Sequence, residues 1–379
     1  MARLGDICEV VSGTTPKSNI PEYWDGNINW VTPAELNDET VIIYESQRKI
    51  TEQAVKDSSL KPFPAGTVLL SSRAPIGKVA IAGVDMYCNQ GFKNLICSDK
   101  IHNKYLFWFL KDRTDYLNSL GRGATFKEIS KSIVENIDVP LPSIEKQKRY
   151  AAILDKINNL ISLRKQQLAK LDELVKARFV EMFGEPKDNP NEYSKKQLKK
   201  TCDVITGNTP SRAVGAYYGD YIEWIKTDNI VSGLLHPTTA VEHLSEKGMS
   251  VSRTVEKDSI LMACIAGSIS SIGRICVTDR KVAFNQQINA IVPNEYNIFF
   301  LYVLLQLSKE YLVEEINMSL KGILSKSKLE EKTFIVPPME LQEQFAAFVE
   351  QTNKSKVVVQ QGLAKLEVLK KSLMQEYFG

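Results

Sequence analysis

From Leu154 to Met182 the chain marks one face at alternating steps of three and four: Leu154, Ile157, Ile161, Arg164, Leu168, Leu171, Val175, Arg178 and Met182. This is a seam every 3.5 residues with no proline or glycine in it, and it predicts a helix from about Tyr150 to Met182. At 1.5 Å per residue such a rod is roughly 45 to 50 Å long, too long to be buried in one small domain. It reads as a spacer. The pattern returns at the end of the chain. Lys165-Gln-Gln-Leu-Ala-Lys-Leu171 is echoed 195 residues on by Gln360-Gln-Gly-Leu-Ala-Lys-Leu366, and Phe183-Gly184 by Phe378-Gly379. Val349, Thr352, Lys356, Val359, Leu363, Leu366, Lys370, Leu373 and Tyr377 form the matching seam, weaker because Thr352, Lys356 and Lys370 are polar.

The repetition reaches back through both halves. A short apolar segment, Leu4 to Val11, leads to the turn cluster Ser12-Gly-Thr-Thr-Pro16 and, after Tyr23-Trp24, to the alternating stretch Ile28-Asn-Trp-Val31, which predicts a strand. The series returns 194 residues later as Cys202-Asp-Val-Ile-Thr-Gly-Asn-Thr-Pro210, Tyr217-Tyr218 and Ile222-Glu-Trp-Ile225. Thr51 and Ser245 stand where each would cap a short helix. Hydrophobic strands then run into glycine turns at Ile76-Gly-Lys78 and Ile272-Gly-Arg274, the second loop being four residues longer. Asn89-Gln90 and Asn285-Gln286 follow in register. Tyr105 to Leu120 and Phe300 to Glu315 share Leu106/Leu301, Leu110/Leu305 and Tyr116/Tyr311 at helical spacing, predicting core-facing stripes. Polar turns (Gly121 to Lys127, Ser319 to Ile323) and proline-stopped edge strands (Ile137 to Pro142, Phe334 to Pro338) close each half.

Register held over so many turn residues is duplication. The expected order is an α/β domain over residues 1–145, a long helix over 146–184, a linker over 185–197, a second α/β domain over 198–340 and a second long helix over 341–379. The fold class is α+β. If the ends of the second domain lie together, the second rod must run back along the first. The two seams then bury each other as an antiparallel coiled coil, and the halves are related by a pseudo-twofold axis, like an isologous dimer made from one chain. Chain ends that meet in this way predict that a permutant starting near residue 190 still folds.

Composition adds bounds. The chain has 379 residues, 43% of them hydrophobic, enough for two or more cores. With 48 basic and 45 acidic side chains, bulk charge would draw nucleic acid only weakly, so any such attraction must come from local patches. Residues 1–145 carry 16 basic and 18 acidic groups and 146–187 carry 10 and 5, so the basic part is the first helix. Cysteines at 8, 88, 97, 202, 264 and 276 form no C-x-x-C pair, which favours a reducing compartment without a structural metal; Cys8 and Cys202 read as buried small hydrophobes. The start has no signal-peptide pattern, and the longest apolar run, Ile298 to Leu305, is too short to cross a bilayer; a cytoplasmic location is expected.

Several motifs occur twice: G-x-T-P at Gly13 and Gly207, aromatic pairs before Trp30 and Trp224, Ile-Gly-Lys and Ile-Gly-Arg, Asn-Gln, and V-P-x-x-x-[IL]-x-x-Q at Val139 to Gln147 and Val336 to Gln344. Ahead of two long helices, this set resembles the specificity (S) subunit of type I restriction-modification systems, over essentially the whole chain. The resemblance implies two target-recognition domains, each reading half of a split double-stranded DNA sequence. It also implies a coiled coil that sets their spacing and docks methyltransferase (M) subunits, two in number, with restriction (R) subunits joining through the assembled complex. Methyl transfer and cleavage would then belong to partners that use S-adenosylmethionine and ATP, and this chain would be a non-catalytic subunit with no cofactor of its own.

Catalytic patterns are missing from the sequence. Asn189-Pro-Asn-Glu-Tyr193 lacks the second proline of an adenine methyltransferase motif, Gly121-Arg-Gly123 has no third glycine, and Ile76-Gly-Lys78 no upstream glycine at P-loop spacing. Binding features are local. Residues 58–84 and 316–329 carry lysines and arginines without an acidic side chain, on turns where amides and cations can meet phosphates or base edges. The DNA-contact candidates are Ser71, Ser72, Arg73, Lys78, Arg122, Thr125 and Lys127 in the first domain, and Lys226, Thr227, Arg274, Lys321 and Lys326 in the second. Paired loops differ, so the two half-sites should differ. The rival from another class is a two-domain coiled-coil protein scaffold that does not bind DNA, favoured by the weak net charge; a self-contained nuclease or methyltransferase stands third.

Overall fold

The computed structural model describes residues 1–37, 39–73, 75–123, 127–314, 316 and 322–379. The chain divides into two compact units, Met1–Arg164 with Gly362–Gly379, and Lys165–Gln361. Two 40-residue helices, Ile144–Phe183 and Met339–Phe378, cross the division in opposite senses. Each unit therefore holds the start of one long helix and the end of the other, and both chain ends belong to the first unit.

In the first unit a five-stranded sheet runs in the order Cys8–Ser12, Lys93–Cys97, Val68–Leu70, Val79–Ala82, Ile42–Ile43, antiparallel except for its last pair. A three-stranded sheet places Trp24–Val31 between Lys49–Ile50 and Tyr87–Cys88. The core forms where one face of the larger sheet meets the helix Asn103–Asp112, whose Tyr105, Leu106, Trp108 and Leu110 are fully buried. Ala2–Arg3 pairs with Asp138–Val139, the expected edge strand.

The second unit repeats the plan with local differences. Cys202–Thr206, Ile288–Pro293, Ile260–Ala263 and Ile275–Val277 form one sheet, and His243–Leu244, Tyr218–Ile225, Val282–Phe284 and Thr254–Val255 the other. The bridge that Arg73 makes to Glu128 in the first unit is here a short strand pair, Ile265–Ala266 against Gly322–Ile323. Thr51 and Ser245 cap as expected, accepting from Ala54 N at 3.2 Å and Gly248 N at 3.0 Å. Cys8 and Cys202 are buried, also as expected.

Two expectations change. The stretches read as single helices are each two, Asn103–Asp112 and Thr114–Ser119, then Ile298–Leu307 and Lys309–Val313. The breaks at Arg113 (φ −99°, ψ 18°) and Ser308 (φ −91°, ψ 13°) re-aim the second pieces, which leaves Tyr116 and Tyr311 exposed rather than in the core. The glutamine motif also shifts. Gln147 is buried in the first turn of its helix, where Oε1 accepts from His102 N at 2.8 Å and Nε2 donates to Lys100 O and Pro142 O. Its counterpart is Gln342, which accepts from Asn297 N at 2.9 Å and donates to Pro337 O at 2.8 Å; Gln344 is exposed. The second helix starts at Met339, so the residue one turn in is 342.

In each unit the two long helices pack antiparallel. In the first, Tyr150 stacks on Tyr377 at 3.8 Å, and Lys370 Nζ donates to Asn158 Oδ1 at 2.8 Å while lying over the Trp108 ring. In the second, Lys356 pairs with Asp172 at 2.5 Å, and Thr352 donates to Phe348 O at 2.9 Å. All three polar seam positions thus have partners. Helix ends enter the cores through residues outside the heptad seams: Phe378 lies 5.2 Å from Tyr105, and Phe183 4.9 Å from Phe300.

Candidate functional site

Two of the doubled motifs meet. In the first unit the Thr15 hydroxyl donates to Gln90 Oε1; in the second Thr209 donates to Gln286 Oε1. All four residues are exposed. Their backbones are locked from behind: Thr14 N donates to Cys88 O at 2.9 Å and Asn208 N to Phe284 O at 3.1 Å, while Asn89 N reaches Val31 O and Asn285 N reaches Ile225 O. The glycine of G-x-T-P is required by this closeness, since a Cβ at Gly13 would stand 1.9 Å from the Asn89 carbonyl oxygen and one at Gly207 2.2 Å from that of Asn285. The indoles complete the lock, Trp30 Nε1 donating to Thr14 O at 3.1 Å and Trp224 Nε1 to Asn208 O at 3.2 Å.

Each indole belongs to an edge-on aromatic pair, Trp24–Trp30 at 5.1 Å and Tyr218–Trp224 at 6.3 Å. An exposed arginine covers each pair: Arg48 lies 4.0 Å from the Trp24 ring and Arg212 4.5 Å from the Tyr218 ring. The two arginines come from non-equivalent places. Arg48 precedes the strand at Ile50, and the matching position of the second unit is Glu242, which pairs with both Arg212 and Lys226. The hydrogen bond from Lys226, helped by Arg212, holds the Glu242 carboxyl below the usual carboxylate range.

The predicted residues divide into supports and surface. Ser71 and Ser72 are fully buried, against the expectation that they face a ligand. Ser71 Oγ donates to Pro75 O at 2.7 Å and accepts from Lys78 N at 2.8 Å, shaping the turn from inside. Lys78 Nζ donates to Pro33 O at 3.1 Å, and Arg274 Nη2 to Thr227 O at 3.3 Å, so each ties its glycine turn to the equivalent short 3-10 turn. Lys226 is held by Glu242, and Lys326 by Glu330 at 3.5 Å. Arg122 and Lys127 are exposed and Arg73 half-buried; Arg73 and Arg122 both bridge to Glu128 through the backbone. Thr125 and Lys321 lie outside the described residues.

Beneath these loops the units part. Lys93 is buried, its Nζ 3.3 Å from Glu128 and 3.4 Å from Ser72 Oγ. At the corresponding places the second unit has Asn289, Ile323 and Cys264, with Asn289 Nδ2 donating to Cys264 Sγ at 3.2 Å. Burial pushes the Cys88 and Cys264 thiols up to about 12, leaving both inert at neutral pH. Sequence reading missed Arg48, Arg212 and Lys93 as site residues. The repeat itself hid the two arginines, because aligning the halves pairs Arg48 with a glutamate. Among the described residues no helix is long and apolar enough to cross a membrane, and no group of three or more His, Cys, Asp or Glu is placed to hold a metal.

A mixed α/β unit built twice, with long helices and a shared loop junction, defines a tandem recognition protein. The chain belongs to the type I restriction modification DNA specificity domain family, which matches residues 1–173 and again 190–368. It is accordingly a specificity subunit of the type I restriction-modification kind, a DNA-recognition chain rather than an enzyme. It is 33% identical over 375 residues to the type I restriction enzyme MjaIX specificity subunit of Methanocaldococcus jannaschii, covering 92% of this chain and 85% of that one. It is 31% identical over 178 residues to the EcoR124I/EcoR124II specificity subunit of Escherichia coli, covering 45% of this chain and 44% of that one. The fold is that of the type I restriction-modification S subunit from M. genitalium (TM-score 0.64, 14% identity, 100% and 95% of the two chains). It is also that of a chain solved in work on complex assembly of the type I R-M system (TM-score 0.58, 19% identity, 99% and 96%).

Proposed function

We propose that residues 1–145 and 198–340 each read one half of a bipartite DNA target, in the cytoplasm, and that the long helices set the unread spacing between the halves. Two methyltransferase subunits dock on those helices, and restriction subunits join through the assembled complex. The observation that carries this reading is the Thr–Gln junction, made with the same bonds in both units while the side chains around it differ. Exposed cations beside it, Arg48 and Arg212, and the accessible members of the predicted set, Arg73, Arg122, Lys127 and Lys326, are the DNA contacts we assign. Thr125 and Lys321 belong to the same loops. Lys78, Lys226, Thr227 and Arg274 brace the loops, with Ser71 and Ser72 beneath them.

The test is a single-molecule methyladenine map of the host genome with this gene intact and deleted. A two-part motif with a fixed gap should vanish on deletion, and exchanging one domain should change one half of it. Removing one heptad from both helices takes out about 10 Å, roughly three base pairs of gap. A map indifferent to deletion, in cells that express the chain and a partner methyltransferase, leaves the protein scaffold instead.

A further inference from the structure

We infer that each Thr–Gln junction, Thr15 with Gln90 and Thr209 with Gln286, is a binding site for one backbone phosphate of the DNA. The inference rests on the DNA-reading function above and names the part of the duplex that the shared element takes. The junction is built as a donor site. The amide oxygen accepts from the threonine hydroxyl, which holds that end of the side chain toward the threonine and leaves Nε2, a donor, as the free end of the exposed glutamine. Among the described residues, the peptide N–H groups of Gln90 and Gln286 make no hydrogen bond within the protein, nor do those of Thr15 and Thr209. Each unit thus has, at one junction of exposed residues, the glutamine NH2 and two peptide N–H groups as donors, with an arginine over the adjoining aromatic pair. Clustered amides of this kind match phosphate oxygens.

The repeat decides between phosphate and base. An element that is the same in both units cannot tell two different half-sites apart, whereas a phosphate is the same at every step of DNA. Stability does not account for the junction either. A surface side-chain hydrogen bond contributes little to stability, yet both units join residues 75 and 77 positions apart and tolerate only glycine behind them.

The test uses the full chain assembled with its methyltransferase partner, on DNA carrying the mapped target and on a scrambled duplex. Gln90→Ala and Gln286→Ala should each weaken both DNAs by the same factor, about tenfold, leaving the target-to-scrambled ratio unchanged. Gln90→Lys should steepen the salt dependence by about one counterion. A neutral methylphosphonate scan should find one phosphate per half-site whose replacement weakens the wild type but no longer affects the glutamine variant of the unit on that half. Thr15→Val and Thr209→Val, which keep the shape and remove the hydroxyl, should give the same pattern at an unchanged melting temperature. A wild-type complex that binds no DNA overturns the DNA reading and this inference together. Variants that bind like wild type, or lose discrimination at one base step, or couple to no phosphate, overturn this inference alone.

Discussion

At the loop junction the two units make the same bonds, and one layer below it they share almost none. The first has a buried lysine, Lys93, reaching a glutamate and a serine; the second has an asparagine, an isoleucine and a cysteine in those places. Above, Trp30 and Trp224 hold the same carbonyl, yet the arginine over each aromatic pair comes from a different part of the loop set. The difference teaches which contacts a duplicated fold can vary. Where backbone touches backbone, as at Gly13 and Gly207, no side chain fits and nothing can drift. Where side chains meet, any satisfied set will do, and the halves are free to become different readers.

The strongest way to break this comparison is at the helix ends. Phe378→Ala and Phe183→Ala should each cost about 3–5 kcal/mol, seen by calorimetry as a lower first-unit transition for Phe378→Ala and a lower second-unit transition for Phe183→Ala. If either variant lowered both transitions equally, the assignment of each helix end to one core would be wrong. Next come the buried glutamines. Gln147→Ala and Gln342→Ala strand several polar groups and should each cost about 1–3 kcal/mol, while Gln344→Ala should stay within about 0.5 kcal/mol in denaturant titrations. A costly Gln344→Ala would restore the alignment read from the sequence motif. Removing the arginine over either aromatic pair, Arg48→Ala or Arg212→Ala, should cost no more than about 1 kcal/mol, with a blue or red shift of tryptophan emission reporting the lost contact.

The smallest effect sharpens the comparison by pH. Glu242 is depressed in the folded chain, so its stabilisation is complete above the unfolded carboxylate value of about 4.3 and is lost as pH falls through the lower folded value. Solvent screening of this partly exposed group limits it to a few tenths of a kcal/mol, on the order seen for surface pairs. Glu242→Gln should flatten that acid limb in melts of the second unit. The first unit, with Arg48 in the corresponding place, should melt without it.

Much was legible before any fold was known. The heptad seams, the duplicated turn residues and the caps at Thr51 and Ser245 are local signals, set by periodicity and by which residues tolerate a turn, so the sequence alone determined the two long helices, the repeat and the family. The breaks at Arg113 and Ser308 were not legible, because the stretches around them keep a helical pattern through the bend. Neither was the burial of Ser71 and Ser72, whose hydroxyls look like surface donors until Pro75, Lys78 and Gly91 close over them. Only the tertiary structure joined Thr15 to Gln90 and Thr209 to Gln286, or set Arg48 and Arg212 over equivalent rings. Those partners lie far apart in the chain, and what brings them together is the sheet pairing and the glycine-close backbone contact, neither of which has a local period to read.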